Sequence, residues 1–226
     1  MLAAELPGLL TCRACPRLAE YIDQLPAKKG HLREGYWNRP VPGFGDPQAR
    51  VCLLGLAPGA HGANRTGRPF TGDGAGDFMY PLLYEAEFSN QATAVALDDG
   101  LELRDLYLTN AVKCVPPGNL PTAGEFHTCR PYLSEELASL PRLQIVLALG
   151  QAAYLSYLRA CREQGVVRRL ADYPFAHGKI HRLDGGPTLV ASYHTSRYNI
   201  QTGRLTREMF LDLLLEVRAL LEGENG

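Results

Sequence analysis

Four of the six cysteines in this chain stand in a pattern that suits metal chemistry. Cys12 and Cys15 form a C-x2-C pair, and Cys114 and Cys129 form a C-x14-C pair. The shorter spacing puts two thiolates on one turn, the geometry for neighbouring ligand positions on one metal ion or cluster. The longer spacing has no such local logic and must be closed by the fold. Buried apolar filler is the alternative for Cys114 and Cys129. Cys52 and Cys161 lie within apolar segments and read as fillers.

Other residue types able to bind or catalyse gather in four segments, 57–77, 112–121, 151–154 and 194–205. Three of them are rich in Gly, Pro, Asn, His and Arg. Loops of this kind carry function when a rigid scaffold holds them. The scaffold reads as strands alternating with helices. Short apolar runs at 50–56 (RVCLLGL), 105–111 (DLYLTNA), 144–150 (QIVLALG) and 187–193 (PTLVASY) have the unbroken hydrophobicity of parallel strands covered on both faces. A further strand-like stretch, 179–183, predicts a hairpin through Asp184, Gly185 and Gly186 into the last of these. Helical patterns occupy 75–87, 122–140, 151–164 and 206–221. Thr122 with Glu125 forms a capping box, and Gly165 is a C-cap. The fold class expected is α/β: a three-layer α/β/α sandwich around a mainly parallel four-stranded sheet, with an N-terminal cysteine-containing segment, in one domain over 1–226. Ligands in such sheets bind beyond the carboxyl ends of the strands, where the four polar segments fall.

Composition sets the outer bounds. A chain of 226 residues with 46% hydrophobic content has material for one sizeable core. Lys and Arg together number 23 and Asp and Glu 24, which argues against a non-specific nucleic-acid coat but leaves room for a local basic groove. The N-terminus lacks a basic region followed by a long apolar core, and no apolar run is long enough to span a bilayer. A cytoplasmic protein with reduced thiols, no membrane partner and a monomeric state is the expectation, and its cysteines are then ligands or fillers rather than disulfides.

Three long motifs carry a resemblance. GLAPGAHGANRTGRPFTGD at 55–73, preceded by VPGFGDPQARVCL, resembles the first active-site motif of the iron–sulfur uracil-DNA glycosylases. TNAVKCVPP at 109–117 resembles the segment holding their base-reading position and third cluster cysteine. SYHTSRYNIQTGRLT at 192–206 resembles their final motif with its catalytic histidine. The four cysteines match in order and approximate spacing, and the likeness runs from about residue 10 to 220. Ala57 and Ala60 stand where acidic or polar residues occur in the fourth family, so the wording is most like the fifth, B-type family. Some B-type members carry a small apolar residue at the position of Asn110, and an asparagine there is similar to the stricter uracil readers.

The resemblance implies hydrolysis of the N-glycosidic bond of uracil in DNA by base flipping, with hypoxanthine and xanthine as further candidate bases. It implies a structural 4Fe-4S cluster on Cys12, Cys15, Cys114 and Cys129, and uracil-containing DNA as partner. Gly55, Ala57 and Gly59 then meet the substrate. Phe70 becomes a stacking platform, its alternative being a core plug. The Asn110 amide reads uracil O4 and N3–H, the alternative being a turn residue. His194 donates to O2 as negative charge develops, in either protonation state, or is merely structural. Asp73 is the carboxylate nearest the water, or an N-cap, or both. His61 and Asn64 are weaker polar alternatives for that water. Arg65, Arg68, Arg197 and Arg204, with Lys113, supply positive charge for phosphates, and backbone amides of 59–67 are placed to meet the same groups. A non-catalytic iron–sulfur DNA-binding module is the main rival, and a zinc site or an electron-transfer protein are others.

Overall fold

The computed structural model describes residues 6–223. Its centre is a six-stranded sheet in the order β1-β3-β2-β4-β6-β5. The strands are β1 Phe44–Gly45, β2 Val51–Gly55, β3 Leu106–Asn110, β4 Ile145–Leu149, β5 Ile180–His181 and β6 Thr188–Ser192. The four expected strands form the parallel centre, β3-β2-β4-β6. The sheet exceeds the expected four strands because a two-residue strand pairs antiparallel on each edge. One of these is the predicted hairpin partner, with Ile180 opposite Val190. The other, β1, is too short to show any periodicity.

The helices described are α1 Pro16–Gln24, α2 Ala63–Thr66, α3 Gly74–Glu85, α4 Ala123–Ala138, α5 Gln151–Glu163, α6 Arg197–Gln201 and α7 Arg207–Gly223. The capping box at Thr122 and Glu125 is formed, and Gly165 adopts φ 79 just beyond α5. Alternate strand residues supply two cores, as a pleat buried on both faces requires. Leu53, Leu108 and Leu147 pack with Met79 and Leu82 of α3 and Phe210 and Leu214 of α7. Cys52, Leu54, Val146 and Ala148 pack with Leu133 of α4 and Tyr154 and Leu158 of α5. Cys52 and Cys161 are buried filler, as expected.

The chain passes from β2 outward to β3, then returns to place β4 on the other side of β2. The loops after β2 and β4 therefore leave in opposite directions and open a crevice at the carboxyl ends. Among the described residues no helix is long and apolar enough to cross a membrane.

Candidate active site

A cleft of about 860 Å³ lies at the carboxyl ends of β2, β3 and β6. Its walls come from the loop after β2, the end of β3, the loop after β6 and the N-terminal segment. Ala57, Gly59, Phe70, Asp73, Asn110 and His194, distant in sequence, all line it. Gly55 stands behind two of them. A methyl group there would lie 2.5 Å from Phe70 Cζ and closer still to Asn110 Oδ1, so the glycine is what lets both side chains sit side by side.

Phe70 adopts φ 54, a left-handed conformation rare for a bulky residue. Such strain costs on the order of 1–3 kcal/mol and persists only where neighbours over-determine it. Both flanks of Phe70 are pinned. Arg68 donates from Nε to Thr71 Oγ1 at 2.9 Å and through its two terminal nitrogens to Asp99 at 2.8 and 2.7 Å. The Tyr80 hydroxyl donates to the Pro69 carbonyl at 3.0 Å. Burial opposes ionisation of Asp99, but Arg68 and three backbone amides more than offset it and hold the carboxyl well below the usual range.

Asn110 ends β3 and is buried. Beside it, Thr109 Oγ1 donates to Glu136 Oε2 at 2.6 Å. Lys113 donates to Thr109 Oγ1 at 2.5 Å and pairs with Glu136, all three being fully buried. Glu136 also accepts from the Tyr107 hydroxyl and the Gly43 amide, each at 3.0 Å. This satisfied network fixes the strand end that presents Asn110.

Asp73 presents its two oxygens to different surroundings. Oδ1 caps α3, accepting from the amides of Ala75 and Gly76 at 3.1 Å. Oδ2 stands over the loop after β2, where a methyl on Gly59 would come within 2.9 Å of it and one on Gly62 would collide with it. His194 follows β6. Its carbonyl accepts from Asn199 Nδ2 at 2.8 Å, and Gly150, at φ 87, backs its Cβ. Burial pulls the His194 imidazole below its ordinary pKa, against an opposing pull from the Asp73 charge. His194 is therefore neutral near pH 7.

Residues 42–218 match the family model of the uracil DNA glycosylase superfamily. The chain belongs to the uracil-DNA glycosylase superfamily. A type-5 uracil-DNA glycosylase of Thermus thermophilus is 51% identical over 218 residues, covering 96% of this chain and 97% of that protein. One from Pyrobaculum aerophilum is 41% identical, covering 93% and 89%. A type-4 uracil-DNA glycosylase from the same organism is 34% identical over 65% of each chain. The expected likeness to the fifth family holds.

Within this glycosylase fold the basic residues divide. Arg197 is exposed on the cleft wall. Arg204 is exposed and lies over the Tyr193 ring, 4.7 Å from its centroid. Arg65 is half-buried and donates to the His61 carbonyl at 2.9 Å. Arg68 is no phosphate contact: it is 0% exposed and consumed by Asp99, so it supports Phe70 instead. Lys113 is likewise removed from solvent by Glu136. Asn64, fully buried and bonded to Asn38, does not line the cleft either. Sequence reasoning missed Lys28, on the cleft wall. It lies outside the four polar segments, and no local pattern marks it.

Cys12, Cys15, Cys114 and Cys129 converge on one cavity of about 110 Å³, lined also by Leu18, Ile22 and Val112. The Lys113 amide donates to Cys129 Sγ at 3.2 Å. The Tyr132 hydroxyl lies against Cys12 and Thr128 against Cys15. Burial pushes Cys114 up to about 12 and Cys129 up to about 11, the charges of the neighbouring cysteines adding to the first. Among the described residues no three His, Cys, Asp or Glu side chains gather tightly enough to hold one metal ion.

Proposed function

We propose that this chain removes uracil from DNA in base-excision repair, hydrolysing the N-glycosidic bond and leaving an abasic site. The observation that carries the reading is the convergence of Phe70, Asn110, His194 and Asp73 on one cleft at the carboxyl ends of the strands. A flipped uracil stacks on Phe70, and the Asn110 amide donates to O4 and accepts from N3–H; cytosine inverts both groups. As the bond from N1 to the sugar carbon breaks, its electron pair passes to the base. Neutral His194 donates to O2 and stabilises that charge. Asp73 Oδ2 accepts a hydrogen bond from the water that adds to the sugar carbon, and the released proton leaves to solvent. Ala57 and Ala60 have no group for that task. Phosphates meet Arg197 on the cleft wall and the exposed Arg204.

The four cysteines fit a 4Fe-4S cluster. Their donor set is all sulfur, the four line one cavity of about 110 Å³, and one sulfur already accepts a backbone amide. Bound there, the cluster would tie the N-terminal segment to α4, and the four cysteines stand apart from the residues that line the cleft. A cytoplasmic, monomeric enzyme is the reading of the sequence alone. A non-catalytic DNA-binding module has no use for a strained aromatic and a buried amide facing a cleft.

The test uses duplexes carrying one uracil, hypoxanthine, xanthine or thymine opposite guanine. Alkali-labile breaks should appear at uracil, with none before alkali. DNA binding without any break would leave the binding module in its place. Broad visible absorption with a brown colour should accompany the purified protein, and a colourless zinc protein would overturn the cluster.

A further inference from the structure

His61, Tyr36 and Lys28 form a chain that the uracil chemistry does not use. The Lys28 amide donates to the Tyr36 hydroxyl oxygen at 2.9 Å. That oxygen lies 3.2 Å from His61 Nδ1, with the two rings edge to face. Tyr36 is buried, and His61 Nδ1 is the acceptor the structure offers its proton. We assign the tautomer that uses this proton: Nδ1 accepts, and in the neutral ring Nε2 carries the hydrogen.

The arrangement is rigid. The Trp37 amide donates to the Arg65 carbonyl at 2.9 Å, and the Asn38 amide to the Asn64 carbonyl at 3.1 Å. These bonds clamp the N-terminal segment onto the loop that bears His61. Arg65 holds the His61 carbonyl from the other side. His61 and the exposed Lys28 both line the cleft.

With Nδ1 engaged by Tyr36, the ring nitrogen left for a ligand is Nε2, which in this tautomer carries the hydrogen and donates. The acceptors on a flipped uracil, O2 and O4, are already matched by His194 and Asn110. The acceptor-only, anionic groups that remain on a DNA strand are its phosphates. A lysine beside a fixed N–H donor suits such an oxygen.

We propose that Lys28 and His61 bind a backbone phosphate of the damaged strand, with Tyr36 as the positioning residue that fixes the His61 tautomer. This rests on the reading that DNA fills the cleft.

The test measures binding of the intact protein to a duplex carrying a non-hydrolysable 2′-fluoro-deoxyuridine across a salt series. A parallel measurement follows single-turnover excision at saturating enzyme on the ordinary uracil duplex. Lys28→Ala should weaken binding and make the salt slope shallower by about 0.9, the signature of one lost phosphate contact. His61→Ala should weaken binding about tenfold. Tyr36→Phe keeps the ring packing and should weaken binding by less than His61→Ala. Combined with His61→Ala it should add nothing, because the two act as one unit. A tenfold fall in the saturating rate of His61→Ala with unchanged affinity would place His61 in the chemistry and overturn the proposal. An unaltered salt slope for Lys28→Ala would overturn it as well. Absence of uracil excision by the unmodified protein would sink the glycosylase reading alone, since the binding arms still read out.

Discussion

Gly55→Ala isolates the geometry of the base pocket from its chemistry. The added methyl would stand 2.5 Å from Phe70 Cζ and nearer to Asn110 Oδ1. Favourable carbon contacts lie at about 3.5–4.0 Å, so both side chains must retreat by about 1 Å. Overpacking of this size costs about 1–3 kcal/mol of stability, which in a chain of this length lowers Tm by about 2–12 °C. The effect on catalysis is separate. A displaced Asn110 forfeits up to two hydrogen bonds to uracil, each contributing about 0.5–1.5 kcal/mol, so the rate should fall by one to two orders of magnitude, roughly 5- to 150-fold. The assay is single-turnover release of uracil with enzyme in excess, beside a thermal melt followed by circular dichroism. Gly35→Ala is the control, since a methyl there has nothing within 4 Å; it should leave rate and melt unchanged. A Gly55→Ala protein that melts a few degrees lower yet excises uracil within about threefold of the parent would refute the argument that Phe70 and Asn110 read the base from these positions.

Two further outcomes follow from buried groups. Burial keeps His194 neutral by lowering its pKa, so the saturating excision rate should stay level as pH falls from 8 through the ordinary histidine value of about 6.5. The unfolded chain takes up this proton first, so the stability that neutral His194 contributes is complete above about 6.5 and lost as pH falls through the depressed folded value; an inflection in rate at or above 6.5 that vanishes in His194→Asn would contradict the neutral donor. Glu136→Ala strands the buried Lys113 charge together with Thr109, Tyr107 and the Gly43 amide. Urea titration should show a loss of about 3–5 kcal/mol, and a loss under about 1 kcal/mol would mean that water replaces the carboxylate.

The amino-acid sequence by itself determined the parallel centre of the sheet, the principal helices and the loops that form the cleft. These signals are local. An apolar run of strand length between two helical patterns reads as a buried strand without knowledge of its neighbours, and the capping box at Thr122 needs only the residue three positions on. The positions of Phe70, Asn110 and His194 were legible for a different reason: each sits in a long motif, Asn110 and His194 at or just past a strand end and Phe70 in the loop after β2. The tertiary structure decided which charges face solvent. Arg68 and Lys113 read as phosphate contacts because they stand in polar loops, yet each is buried by a carboxylate far along the chain, Asp99 for one and Glu136 for the other. It also decided how Asp73 divides its oxygens between a helix cap and the cleft, and that Tyr36, held by the Lys28 amide, reaches His61 from the N-terminal segment. A side chain's intrinsic chemistry is written in its own residue, but its exposure, tautomer and free lone pairs depend on partners that only folding brings within bonding distance.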